Sequence, residues 1–372
     1  MKKFLIALCL FAAGLICLPV NDMFAQNITY SNSQPDEDDP FRVLQEAIVN
    51  TGVGRDSAPA LFRPNYMSVS DASLSMDDEE VVFLAPFFPD GVMRIYPQRI
   101  MVWHEVVNEF FDEANKQPVA ITYCPITGSL AAYNLHAGKT PITLGVSGDL
   151  LNNNSVLYDH YSGSLWPQLT GQAIDGPYKG KVLPRLPVIW TTWGLARKAY
   201  PDGKVLSRNT GFKRRYGRDP YGSYLHDGSY YHDTHVFYPL LNTDSRLKPK
   251  EQMICIEFDN LAIAVNKAEV KELGVVNFTM GITPLVAMYD PALDTVRVFK
   301  RQLPDARETL TFSWTGSYMV DDQTRTEWDR LGKGSLGKFR DYQLTPVNSV
   351  DSMWFAWAAF YPRTRIVPGR EF

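Results

Sequence analysis

The chain has 372 residues, 45% of them hydrophobic, and a formal net charge of −4, enough apolar mass to bury one large core or two ordinary ones. The slight acidity excludes a protein built around a basic nucleic-acid-binding face. Four cysteines make no disulfide framework, and an aromatic share of 13% disfavours a helical bundle, because flat side chains suit pleated, half-buried strands.

Residues 1–25 begin with Lys2 and Lys3, run through FLIALCLFAAGLICL and end on Ala25. That is the charged start, apolar middle and small cut-site residue of an export signal, which predicts a periplasmic or extracellular protein. Leu8 and Ile16 precede Cys9 and Cys17, where a lipid-anchor signal needs a small residue. With the signal removed only Cys124 and Cys255 remain, either bridged or as two free thiols. No later segment holds eighteen uninterrupted apolar residues, so no membrane span is expected after the signal.

Residues 26–78 read as an acidic leader and lead-in, and the stretch SNSQPDEDDP has the composition of a solvated tail. Residues 79–208 form the first lobe. The runs VVFLAPFF and VMRIYP flank Pro89-Asp90-Gly91 and predict two strands joined by a turn. The first part of RIMVWHEVVNEFF also fits an amphipathic helix, but alternation around Val102–Val107 and the β-branched run near Val119–Thr122 favour a hairpin leading into Tyr123-Cys124-Pro125-Ile126-Thr127-Gly128-Ser129. Two further strands flank Asn152, Asn153 and Asn154. A turn-rich ribbon carries Trp166. Thr191 or Thr192 is placed to cap a short helix, WGLARKAY, ended by Pro201, and a strand KVLS closes the lobe.

Residues 241–372 repeat that order. Pro118, Tyr123, Pro125 and Tyr133 share their spacing with Pro284, Tyr289, Pro291 and Phe299, while Trp166 and Trp193 answer Trp328 and Trp354. Asp290 stands where Cys124 was. The four tryptophans are expected in the core. The predicted fold is a β-rich α+β protein of two homologous lobes of antiparallel hairpins with short helices, related by a pseudo-twofold. Residues 209–240, rich in Gly, Tyr, Arg and His, have no counterpart and read as an inserted loop over a site.

The motifs HEVVN, TYCPITGS, GSLWPQLTGQAIDGP, TTWGLARKAYPDGKVLS and RRYGRDPYGSY, in that order, resemble an exported prokaryotic family catalogued as domain of unknown function 3179. The resemblance runs from about Ile95 to Pro362 and carries no established activity. Many members of that family have a second cysteine where Thr127 stands here, which puts a dithiol role in doubt for this chain.

The candidate chemistry centres on Cys124 as nucleophile and His104 as its base, since a nearby imidazolium lowers a thiol's pKa. Thr127 and Ser129 offer hydroxyls to the sulfur. Glu105, Asn108, Gln168 and Thr170 would line a polar floor, with Asn209, Arg215, Tyr216 and Tyr221 of the inserted loop as ligand contacts. His226, His232 and His235 are the densest set of possible metal ligands, although their spacing fits no common zinc pattern. The alternative to a site is a structural or interaction protein in which Cys124 is a small core residue. No Ser-His-Asp, phosphate-loop or dinucleotide fingerprint is present. The ligand, any cofactor and the oligomeric state are not specified by the residues.

Overall fold

The computed structural model describes residues 39–112, 117–258, 261–303, 308–316 and 318–368. The expected export signal at 1–25 and the expected leader through residue 38 lie outside the described residues. The chain is β-rich, with many short antiparallel strands and few short helices. No helix among the described residues is long and apolar enough to cross a membrane.

Strands Val81–Ala85 and Arg94–Pro97 pair antiparallel across Pro89-Asp90-Gly91. Pro97 enters the helix Gln98–His104, which corrects the expectation of strand through Val102. Ile100, Met101 and His104 are buried, a helical spacing that only two turns of sequence could not distinguish from alternation. The expected hairpin begins only at Val106, as Val106–Asp112 against Gln117–Cys124, and continues into Ser129–Asn134. Next comes the hairpin Leu144–Leu151 with Asn154–Asp159, then Leu165–Pro167. Strand Ile189–Thr192 feeds helix Trp193–Ala199, followed by strand Lys204–Leu206. Thr192 occupies the N-cap position but makes no side-chain cap bond; the Thr191 hydroxyl instead donates to Leu293 O at 2.6 Å.

After residue 250 the elements run as Gln252–Phe258 with Leu261–Asn266, helix Lys267–Leu273, and the meander Val275–Met280, Thr283–Asp290, Thr295–Lys300. Short strands surround Trp328, and Val350–Met353 then feeds helix Trp354–Phe360 and strand Arg365–Val367.

Two sheets organise these elements. A five-stranded sheet holds Val81–Ala85 and Arg94–Pro97 between Ile189–Thr192 and Lys204–Leu206, with Tyr66–Ser68 at its edge. A nine-stranded sheet joins the meander before Asn134 to the hairpin after Gln252, through the pairing of Leu130 with Asp351. The lead-in is structural: Val49–Asn50, Leu61–Phe62 and Tyr66–Ser68 each add a strand to a different sheet.

Trp166, Trp193, Trp328 and Trp354 are all buried in the core. Trp166 Nε1 donates to Asp159 and Trp328 Nε1 donates to Asp321, each at 3.0 Å and seven residues back. Asn108 bonds both backbone groups of Leu144, and Asn277 does the same to Phe312. These bonds satisfy polar groups that would otherwise be stranded in the core.

Candidate functional site

Cys124 ends the strand Gln117–Cys124 and pairs in register with Ser129 across the turn. Gly128 has φ +52, and a Cβ there would meet Gln252 Nε2 at 2.6 Å, so the turn needs glycine on both counts. The thiol is fully buried and donates to Asn153 O at 3.8 Å. Burial, with the Glu105 carboxyl nearby, pushes its pKa up, so the resting sulfur is a neutral thiol.

His104 is not its partner, which corrects the sequence expectation. The imidazole sits in the last turn of the helix, with Nδ1 2.7 Å from Pro59 O and Nε2 2.7 Å from the Tyr216 hydroxyl. Burial holds its pKa down at about 4, leaving it neutral. The next residue takes the place expected for it. Glu105 caps the helix in the left-handed region, φ +58, and its carbonyl accepts from Tyr123 N at 2.8 Å. Its carboxylate accepts from the Ser155 hydroxyl at 2.5 Å, and both Ser155 and the carboxyl act on the titration of Cys124. Burial raises the Glu105 pKa to about 7. Thiol, hydroxyl and carboxyl thus form one cluster, with the thiol and Ser155 buried and Glu105 half-buried.

Beneath the turn lies a closed polar layer. Asn154 Nδ2 donates to the hydroxyls of Thr127 and Ser129 and to Gln168 Oε1, while Gln168 Nε2 donates to Thr122. Thr127, Ser129 and Gln168 therefore meet as expected, but mainly serve one another. Asn108 is spent on Leu144, and Thr170 bonds Pro167 O in its own turn. Arg215 and Asn209 are exposed, away from this layer.

The segment 209–240 covers the turn. Tyr230 donates its hydroxyl to Ile126 O at 2.8 Å, and Tyr221, Tyr224 and Tyr230 lie within electrostatic reach of Cys124. Tyr224 meets the Tyr123 hydroxyl at 2.9 Å and stacks on Tyr231 with centroids 3.8 Å apart. Asp219, its pKa raised by burial, accepts from Gln98 and the Tyr231 hydroxyl at 2.8 Å each. Asn153 holds the far end of the segment, exchanging two 2.8 Å bonds with the backbone of Tyr238. Of these, Gln98, Asn153, Ser155, Asp219, Tyr224, Tyr230 and Tyr231 were missed as site residues. The run of three asparagines was a usable signal, since turns need one or two such residues and buried turns need their side chains.

The histidines of this segment do not gather. His226, His232 and His235 are exposed; His232 bonds Tyr224 O and His235 packs edge-on to Phe237. Among the described residues no group of three His, Cys, Asp or Glu side chains is placed to hold a metal ion. Cys124 and Cys255 are both buried and free, so the bridge that two cysteines allowed is not made.

No curated protein and no solved structure matches the chain. The family model described as protein of unknown function (DUF3179) matches residues 55–364. That span takes in Glu105, Cys124, Ser155 and the whole covering segment, and the chain belongs to the DUF3179 family.

Proposed function

We propose that Cys124, Ser155 and Glu105 form a thiol-dependent ligand-binding or catalytic site, closed at rest by the tyrosines of segment 209–240. The observation that carries this reading is the residue chosen at position 105. At the end of helix Lys267–Leu273 the same left-handed position is filled by Gly274, φ +75, whose carbonyl accepts from Tyr289 N at 2.9 Å just as Glu105 accepts from Tyr123. Glycine takes that conformation without strain, whereas glutamate does not. A strained residue with a half-buried carboxyl that raises the pKa of a nearby thiol supports a functional reason for keeping it.

In the proposed chemistry the S–H proton passes to the Glu105 carboxylate as sulfur forms a bond to an electrophilic carbon and the leaving group departs with its electron pair. The matched helix ends, the paired Trp–Asp bonds and the paired Asn clamps support two related lobes, one keeping this site and the other a buried Asp290 bonded to Arg297 and Arg330. The charged, apolar start of the sequence supports export.

Alkylation of Cys124 by iodoacetamide, followed by peptide mass spectrometry from pH 5 to 10, tests the reading. If Glu105 is the base, labelling of the folded protein rises through about pH 7, and in Glu105→Gln that rise moves to the alkaline range of an unassisted thiol. A thiol that labels only on unfolding in both proteins would mean that Cys124 is a core residue.

A further inference from the structure

We infer that the cleft between Phe62 and Phe212, on the His104 side of the helix end, is a binding site for a small anion with a planar apolar part, held by Arg63. This cleft holds about 530 Å³ and its lining also includes Asn65, His160 and Asn209. That volume suits a small organic molecule. The inference does not rest on the Cys124 reading.

Three observations carry it. First, two large aromatic rings line the cleft while exposed: Phe62 at 52% and Phe212 at 43%. Phe62 is steadied edge-on by His160 at 5.5 Å, and Phe212 lies 5.5 Å from the His104 ring, so both are placed walls. Exposed apolar rings facing one cleft are what a planar ligand would cover.

Second, Arg63 lines the same cleft in the left-handed region, φ +46, with its guanidinium 4.8 Å from the Phe110 ring and no ion pair among the described residues. A guanidinium held on a ring with no acid paired to it is free to take an oxyanion. Asn65 Nδ2 donates to Asn209 O at 3.1 Å, which ties the wall carrying Arg63 to the wall carrying Phe212. Asp56, the acid in the lining, is occupied at 2.6 Å by the Tyr158 hydroxyl.

Third, the wall is part of a basic stretch in an acidic protein. Arg208, Lys213, Arg214, Arg215 and Arg218 fall within eleven consecutive residues that include no acid, and none makes an ion pair among the described residues. Arg214 is anchored to Ser57 O at 2.8 Å beside the cleft. Uncompensated positive charge around a concave site raises the local concentration of anions.

Calorimetric titration of the full chain with phenyl phosphate, benzoate and benzyl alcohol tests this. The two anions should bind and the neutral alcohol should not, and the stronger of the two anions identifies phosphate or carboxylate as the preferred group. Arg63→Asn should weaken anion binding about tenfold or more, since a charge-assisted contact is lost while asparagine tolerates the left-handed backbone. Phe62→Ala, at an exposed position, should weaken phenyl phosphate without removing the preference for anions. Equal binding of benzyl alcohol, undiminished binding by Arg63→Asn, or no heat from any probe would each overturn the site.

Discussion

Glu105 holds a backbone conformation that costs a non-glycine residue roughly 1–2 kcal/mol, and it also carries a half-buried carboxyl whose pKa desolvation raises to about 7 from 4.5. A raised acid binds more protons folded than unfolded between those two values. Its contribution to stability is therefore neutral at low pH, becomes unfavourable as pH rises through 4.5, and is fully unfavourable above 7, by roughly 3 kcal/mol. Glu105→Gly removes the strain and the desolvated charge together. Urea unfolding should find the variant more stable than wild type at pH 8 and the gap closing towards pH 5; parallel stability curves would show that Glu105 is neither strained nor titrating there. The cysteine was legible in the sequence because a thiol before Pro-Ile-Thr-Gly is conspicuous. Its partner was not. Successive helical residues point about 100° apart, so reading the stretch from Val102 as strand put His104 opposite the thiol and left Glu105 only on the polar floor, whereas the helix ends at His104 and Glu105 is its cap.

At the scale of the element, segment 209–240 stays in place through a few specific bonds, since it contains no helix or strand of its own among the described residues. Asn153 is the firmest of these, buried, at φ +64, with both amide ends bonded to Tyr238. Asn153→Ala loses two part-buried hydrogen bonds and a residue suited to the left-handed region, and should destabilise by roughly 2 kcal/mol. Asn153→Gly keeps the backbone and loses only the bonds. Hydrogen exchange should quicken around residues 236–241 in both variants; unchanged exchange in Asn153→Gly would show that the segment is held from elsewhere. The hairpins and the insertion were legible because alternation, asparagine turns and missing aliphatics mark them directly. The covering role was not, because it depends on Tyr230 reaching Ile126 O and Tyr224 reaching the Tyr123 hydroxyl, contacts 104 and 101 residues apart in the chain.

Across the whole molecule, residues Pro40–Phe372 form one compact unit, and the sheet topology gives the reason. The strand Val350–Met353, from near the C-terminus, sits between Ser129–Asn134 and Gln252–Phe258, so neither half completes its sheet alone. Asp290 provides the test. It is fully buried, with Arg297 Nε at 3.0 Å and Arg330 Nε at 3.4 Å, so Asp290→Ala strands Arg297 in a largely buried position. Removing one partner of such a pair costs roughly 3–5 kcal/mol. If the halves unfold together, that loss must be felt far away, at Cys124. The midpoint of thiol exposure at Cys124 in urea, read with a chromogenic disulfide, should fall together with the tryptophan fluorescence midpoint in Asp290→Ala. If tryptophan fluorescence instead splits into two transitions while Cys124 keeps its wild-type midpoint, the two halves are independent folding units and the shared sheet is only an interface.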